Sequence, residues 1–287
     1  MADGALPDGA RIDGARIDGA LPEGARAASV RLDQALVERG LARSRTQAQQ
    51  HIAAGLVTVD GHGVVKPSHK VGPDARLSVT GDDPWVSRAA HKLLAALDAF
   101  GIDPTGRIAL DAGASTGGFT QVLLARGAAH VTALDVGHDQ FQLDVDAHPI
   151  TLIEGQNVRD LAPGSLDPAP SIVTADLSFI SLALAIGPLA GVAAPDADWV
   201  VLIKPQFEVG RTGVREGIVT DPTLRAQAIE QVLWAAWDAG LGTAGLIGSP
   251  IVGGRGNLEY LAHLSATAGT NPTEWLEESV RLSREAR

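Results

Sequence analysis

The sequence predicts an α/β protein, a doubly wound sheet preceded by a small basic α/β module. Three observations carry this reading. Short apolar runs alternate with stretches of helical spacing through the larger part of the chain. One such run, Arg107–Asp111, opens into a turn of small residues, Gly113-Ala114-Ser115-Thr116-Gly117-Gly118, before helical spacing resumes at Phe119–Ala125. Charge is also uneven. Residues 1–25 carry five acids and two arginines, residues 26–84 eight Lys/Arg against six acids, and residues 85–287 thirteen against twenty-three, within a formal net charge of −11. A basic module on an acidic body is what a local nucleic-acid contact needs.

Composition bounds the alternatives. An apolar content of 45% supports a real core. The absence of cysteine excludes disulfides and thiolate metal sites and suits a reducing cytoplasm, and no metal is expected. The Met1 end lacks a basic-then-apolar signal. The uncharged stretch Leu177–Pro195 is broken by Gly187-Pro188 and Gly191, and reads as a buried helix rather than a membrane span.

In chain order, residues 1–25 repeat an Asp/Glu-Gly-Ala pentad too short and glycine-rich to stack a core, and are read as a disordered leader. Residues 26–80 form the basic module. Arg31–Leu41 is predicted helical up to Gly40, and Ser44 caps a second helix, Arg45–Ala54, which stops at Gly55. Leu56–Val59 alternates as a strand, Asp60-Gly61 supplies a hairpin turn, and Lys70-Val71 and Ala75–Val79 finish the segment. Residues 81–86 are a charged, proline-stopped linker. Val86–Phe100 is predicted helical, with Ala89, Leu93, Leu97 and Phe100 at core spacing and Lys92 beside that stripe. Strands fit at Arg107–Asp111, His130–Val136, Ile150–Glu154, Ser171–Asp176, Trp199–Lys204, Thr243–Ile247 and Leu258–Leu264, with Thr223–Asp238 a clear helix between them. The larger domain is placed at 87–268, and residues 269–287 are a helical tail.

Candidate chemistry follows from strand ends. A small-residue turn between strand and helix lets backbone approach a ligand and aims free N–H groups at it. Asp135, about 20 residues beyond that turn, stands where nucleotide-type sites bond ribose hydroxyls. Asp176 and Lys204 follow apolar runs, and Glu259 stands in Gly-Asn-Leu-Glu-Tyr. With Lys92 they make a neutral quartet. Alone, Asp176 and Lys204 could also be a structural ion pair.

Two resemblances join these observations. Arg31-Leu32-Asp33, Gly40-Leu41, Ser44-Arg45 and the later Val-Asp-Gly and Lys-Pro-Ser closely resemble the S4 RNA-binding domain, which implies RNA contacts by Arg31, Arg43, Ser44, Arg45, Lys66 and Lys70. Lys92, Asp176, Lys204 and Glu259 match in order and context the tetrad of FtsJ-like ribose 2′-O-methyltransferases. From about Val30 to Leu264 the chain resembles the TlyA (hemolysin A-like) family of ribosomal RNA cytidine-2′-O-methyltransferases, carried by Ala112–Phe119, Ala175–Ser181, Leu202–Glu208 and Gly256–Glu259. The resemblance implies a Rossmann-like class I methyltransferase domain and S-adenosylmethionine as donor. It places the donor against Asp111, Gly113, Ala114, Ser115, Thr116, Gly117, Gly118, Phe119, Asp135, Val136, Asn157 and Asp176, with Asn157 or a near neighbour beside the adenine. Catalysis would rest on Lys92, Asp176, Lys204 and Glu259. The hard step is removing a proton from a weakly acidic hydroxyl, which a lysine can do when desolvation and a second cation favour its neutral form. Lys92 would be that cation for Lys204, with Asp176 and Glu259 orienting it. Ribosomal RNA or a ribosomal subunit is the implied partner of a monomeric cytoplasmic enzyme. Two departures stand out: the pentad leader, and Asp83 where the family pattern has an arginine before Pro84-Trp85-Val86.

Overall fold

The computed structural model describes residues 29–42, 44–64, 66–79, 84–210 and 213–285. The pentad leader, Arg43 and Asp83 lie outside the described residues. Two compact units part between Gly81 and Asp82.

The first unit packs α1 (Leu32–Glu38) and α2 (Arg45–Ala53) over short strands. Ser44 caps α2 as expected, its hydroxyl accepting from the Gln47 amide at 3.2 Å. The hairpin turn at Asp60-Gly61 has both residues at positive φ, joining β2 (Val57–Val59) to β3 (His62–Gly63). Two corrections apply here. Val30–Arg31 is a strand, β1, pairing antiparallel with β4 (Lys70–Val71), so the first helix begins at Leu32. The last strand, β5, covers only Leu77–Val79, beside β2. Leu32, Leu36, Ile52, Val57 and Val71 form the core of this unit.

The second unit is a seven-stranded sheet. Its strands are β6 (Ile108–Ala112), β7 (His130–Leu134), β8 (Ile150–Ile153), β9 (Ile172–Ala175), β10 (Asp198–Ile203), β11 (Gly242–Gly248) and β12 (Tyr260–Ser265). In space they run β11-β12-β10-β9-β6-β7-β8. The pairs among β6 to β10 are parallel, while β12 is antiparallel to both neighbours. The expected strand Leu258–Leu264 is thus present, shifted to Tyr260–Ser265. Its sense is reversed because no helix intervenes after β11, so the chain can only fold back.

Alternate residues of each strand feed opposite faces. Ala109, Val131, Ile172, Val200 and Leu261 pack under α3 (Ala90–Phe100) and α4 (Gly118–Ala125). Leu110, Val173, Trp199, Val201 and Leu264 pack under α5 (Leu182–Ala190), α7 (Pro222–Asp238) and α8 (Leu276–Arg284). The stretch Leu177–Pro195 therefore supplies a core helix, and among the described residues no helix is long and apolar enough to cross a membrane.

Helix α3 starts at Ala90, not Val86. The Val86 amide is drawn off to Gln121 Oε1 at 2.8 Å and the Ala89 amide to Ser87 Oγ at 3.1 Å, which leaves 86–89 as turns. Trp85 packs against the α3 side of the core. The C-terminal segment is built into the sheet domain. Buried Arg225 of α7 donates to the Ser283 carbonyl at the end of α8 and to the carbonyls of Val219 and Thr220.

Candidate active site

Strands leave β6 in both directions, toward β7 and toward β9, and a doubly wound sheet opens a crevice at the carboxyl ends there. β6 ends at Ala112 and passes into the small-residue turn. Gly113 takes φ +85°, and a Cβ placed on it would lie 2.6 Å from the Asp176 carbonyl oxygen, so only glycine fits. Ser115 is also left-handed, at φ +47°, a conformation that costs a non-glycine residue energy and persists where its surroundings hold it. What holds it is Asp135. One carboxylate oxygen accepts from the Ser115 amide at 2.8 Å and the other from the Gly137 amide at 2.7 Å, tying the turn after β6 to the turn after β7.

These turns border a cavity of about 440 Å³. Gly113, Ser115, Asp135, Val136, Asn157 and Asp176 line it, together with apolar Leu134, Val158, Leu177 and Ile180. A neighbouring cavity of about 150 Å³ shares Gly113, Ser115, Asp176 and Ser178 with it, and adds Ala114, Thr116, Gly118, Phe119 and Lys204. Most of the cofactor positions assigned from sequence therefore gather at this crevice. Gly117 instead starts α4. Asp111 is a correction. It is fully buried beneath the turn, accepting from Thr120 Oγ1 at 2.7 Å and Thr174 Oγ1 at 3.1 Å, and it lines neither cavity. Desolvation pushes its carboxyl up to about 6.

The quartet separates into two ion pairs. Lys204 Nζ lies 2.5 Å from Asp176 Oδ1 and donates to Ser178 Oγ at 2.9 Å, while Lys92 Nζ lies 2.6 Å from Glu259 Oε2. The antiparallel register pairs Ile203 with Tyr260, so Lys204 and Glu259, one step further, leave the sheet side by side. Lys92 thus meets Glu259 while Lys204 meets Asp176, the two pairs standing on adjacent strand ends. All four side chains are at least 85% buried, which singly would be costly and in pairs is tolerated.

The motif residues beside the quartet hold it in place. After Lys204, α6 (Pro205–Glu208) sets Phe207 under Phe179, ring centroids 5.4 Å apart, and turns Glu208 into the start of α5. There Glu208 accepts from Ser181 Oγ at 2.5 Å and the Leu182 amide at 2.8 Å, capping α5 from outside the helix. Burial raises its carboxyl above the usual range. The loop between Asp176 and Ser181 is thus clamped at both ends. Asn257, also buried, accepts from the Val219 amide and donates to the Gly217 carbonyl, fastening the loop before Glu259. A Cβ at Gly253 would come within 2.3 Å of Glu259 Oε1. Sequence reasoning missed Gln140, Ser178 and Phe179, all lining the larger cavity. Phe179 lies in the quoted Leu-Ser-Phe motif, yet only coordinates place its ring in solvent, at 94% exposure and φ +66°.

Among the assigned RNA-contacting residues, Arg31 and Arg45 both reach Asp33, and Lys70 is exposed on β4.

Comparison with known proteins fits this geometry. The FtsJ-like methyltransferase family matches residues 85–266, and the S4 domain matches residues 30–77. The chain is 49% identical to the 16S/23S rRNA (cytidine-2′-O)-methyltransferase TlyA of Mycobacterium tuberculosis, over 79% of this chain and 86% of that protein. It is 41% identical to hemolysin A of Brachyspira hyodysenteriae, over 78% of this chain and 95% of that one. A solved hemolysin-type structure from Streptococcus thermophilus superposes with a TM-score of 0.67 at 36% identity, covering 89% of this chain and 96% of that one.

Proposed function

Because the chain belongs to the FtsJ-like methyltransferases, within the S4-containing TlyA family, we propose that it transfers a methyl group from S-adenosylmethionine to the ribose 2′-oxygen of a cytidine in ribosomal RNA. Large-subunit RNA is the expected substrate, with small-subunit RNA a second one, as the name of the M. tuberculosis relative has it. The observation that carries the reading is the pair of lysine–carboxylate bridges at the strand ends, next to a cavity bordered by the glycine turn and Asp135.

The cavity suits the donor chemically. Asp135 would offer a carboxylate to ribose hydroxyls, Asn157 a polar side chain to the adenine, and Leu134, Val136, Val158 and Leu177, which line the cavity with them, apolar surface for the base. When bound, S-adenosylmethionine supplies an electrophilic methyl on a sulfonium whose leaving group departs neutral. What remains for the protein is to aim the hydroxyl and take its proton. Lys204 faces the smaller cavity, held by Asp176 and Ser178, and is the residue assigned to that proton. Lys92 and Glu259 hold the neighbouring strand end and bring the quartet to neutrality. Such general-base help is worth about 10²–10⁴ in rate, and alignment of hydroxyl and methyl adds more. The target nucleotide must leave its stack to reach so recessed a site. The S4 domain supplies RNA affinity through Arg31, Arg43, Ser44, Arg45, Lys66 and Lys70, reading phosphates and shape.

A membrane-active hemolysin, or a catalytically inactive RNA-binding ribosome assembly factor, is the alternative reading, and neither is favoured: the domains matched are an FtsJ-like methyltransferase and an S4 domain, and relatives are named as rRNA methyltransferases. The test is to incubate the purified chain with labelled donor and each ribosomal RNA, then map ribose methylation. A cytidine 2′-O-methyl mark in large-subunit RNA is expected. Label on protein, or on no RNA, would refute the assignment.

A further inference from the structure

The basic unit contains a buried acid that RNA contact by exposed cations leaves unused. Asp33, in the first turn of α1, is fully buried. Its Oδ1 accepts from Arg31 Nε at 3.0 Å and the Gln34 amide at 3.0 Å. Its Oδ2 accepts from Arg31 Nη2 at 3.1 Å, Arg45 Nη2 at 3.0 Å and Gln49 Nε2 at 3.0 Å. Beyond this carboxylate the two arginine side chains run out to the surface, 38% and 58% exposed. The Arg31 hydrogen bond is the leading reason that the Asp33 carboxyl is held far below the usual range, so it stays charged at any working pH.

A carboxylate beneath two surface arginines runs against simple electrostatics in a unit meant for a polyanion, since its charge subtracts from affinity. Geometry gives the compensation. Arg31 uses Nε and Nη2 on Asp33 and Arg45 uses Nη2, leaving Arg31 Nη1 and Arg45 Nε and Nη1 without a protein partner among the described residues. Two guanidiniums sharing one carboxylate lie side by side. Without it they repel and spread over many rotamers, an entropy that RNA would have to remove on binding. A planar guanidinium already fixed loses less on meeting a phosphate.

We propose that Asp33 is a positioning residue that holds Arg31 and Arg45 together as one preformed clamp, of net charge +1, for a phosphodiester of the RNA backbone. The proposal rests on the reading of this unit as the RNA-binding module. It assigns a role to a residue that touches no RNA.

The test is a double-mutant cycle on the full chain, with protein-free large-subunit ribosomal RNA as probe and affinity measured across a salt series. The four proteins are wild type, Asp33→Asn, Arg31→Ala/Arg45→Ala, and the triple variant. Asp33→Asn removes a negative charge from the RNA-binding unit, yet should weaken binding about three- to tenfold and lower the salt slope by about one. In the arginine-free background the same substitution should change affinity less than about twofold. Tighter or unchanged binding by Asp33→Asn overturns the proposal, and so does an equal loss with and without the arginines, the mark of mere structural support. Where thermal unfolding shows that Asp33→Asn has lost the fold, Gln49→Ala takes its place in the cycle. It removes one donor from Oδ2 and keeps the charge. A loss that vanishes without the arginines supports the clamp, and no loss overturns it. Wild-type RNA affinity in the arginine-free chain would instead refute the RNA-binding reading beneath it.

Discussion

Replacing Lys204 by arginine separates proton removal from charge pairing. In the structure Lys204 does two things at once: its ammonium neutralises Asp176 at 2.5 Å, and it stands over the smaller cavity hydrogen-bonded to Ser178. Lys204→Ala removes both. It leaves the Asp176 carboxylate, only 15% exposed, without its cation, and fully buried pairs broken this way lose about 3–5 kcal/mol. Allowing for the partial exposure here, a loss on the order of 2 kcal/mol is expected. Arginine keeps the positive charge for Asp176, so stability should stay within about 1 kcal/mol of wild type, but a guanidinium does not give up its proton near neutral pH. If Lys204 takes the ribose proton, Lys204→Arg should lose about 10²–10⁴ in rate, or about 2.7–5.5 kcal/mol of transition-state stabilisation, while donor and RNA affinities stay near wild type. The assay is single-turnover methyl transfer with RNA saturating, alongside calorimetric donor binding and thermal unfolding. Turnover by Lys204→Arg within about tenfold of wild type would refute the base assignment and leave alignment as the main source of rate.

Three further outcomes follow from the same geometry. Asp135→Ala frees the amides of Ser115 and Gly137 and removes the carboxylate offered to ribose, so calorimetry should show donor affinity falling at least about tenfold; equal affinity would take Asp135 out of the site. Gly113→Ala adds a Cβ 2.6 Å from the Asp176 carbonyl at φ +85°, and should lower the unfolding midpoint and abolish donor binding, with wild-type binding contradicting the close approach. Asp111→Asn tests a pH effect. Burial raises this carboxyl from 3.8 to about 6, so the folded state holds a proton that the unfolded state releases. That stability is fully present below about pH 4 and is lost as pH rises through about 6, up to about 3 kcal/mol at 1.36 kcal/mol per unit. The asparagine variant should therefore lose this falling limb in denaturant titrations between about pH 4 and 7, and an unchanged profile would refute it.

The order of elements was legible because it rests on periodicity. Each of the sheet strands falls within two residues of its expected ends, and the helix before Asp238 within one. Helix starts shift where other partners claim the backbone: strand pairing with Lys70–Val71 takes Val30–Arg31 before α1, and the polar side chains of Ser87 and Gln121 do the same before α3. The sense of β12 was not legible either, since an apolar run does not record which way it travels.

At the site, residue types were legible and partners were not. Lys92, Asp176, Lys204 and Glu259 stand out as charges after apolar runs, yet nothing in their spacing says which lysine takes which carboxylate; the strand register decides it, by setting Lys204 and Glu259 on adjacent ends. The acids that misled or were passed over are those whose role lies in burial. Asp111 stands near the end of β6, just before the glycine turn, the position of a ligand-facing acid, but alternation along the strand turns it inward, where Thr120 and Thr174 satisfy it. Asp33 is legible only as a member of the Arg31-Leu32-Asp33 motif, and the fold adds that α2 brings Arg45 and Gln49 onto the same carboxylate. In both cases partners from other elements complete the set: Thr120 and Thr174 for Asp111, and Arg45 and Gln49 beside the local Arg31 for Asp33. Burial of an acid becomes favourable only once its donors are all in place, so the role of each follows from tertiary structure as well as from its neighbours in sequence.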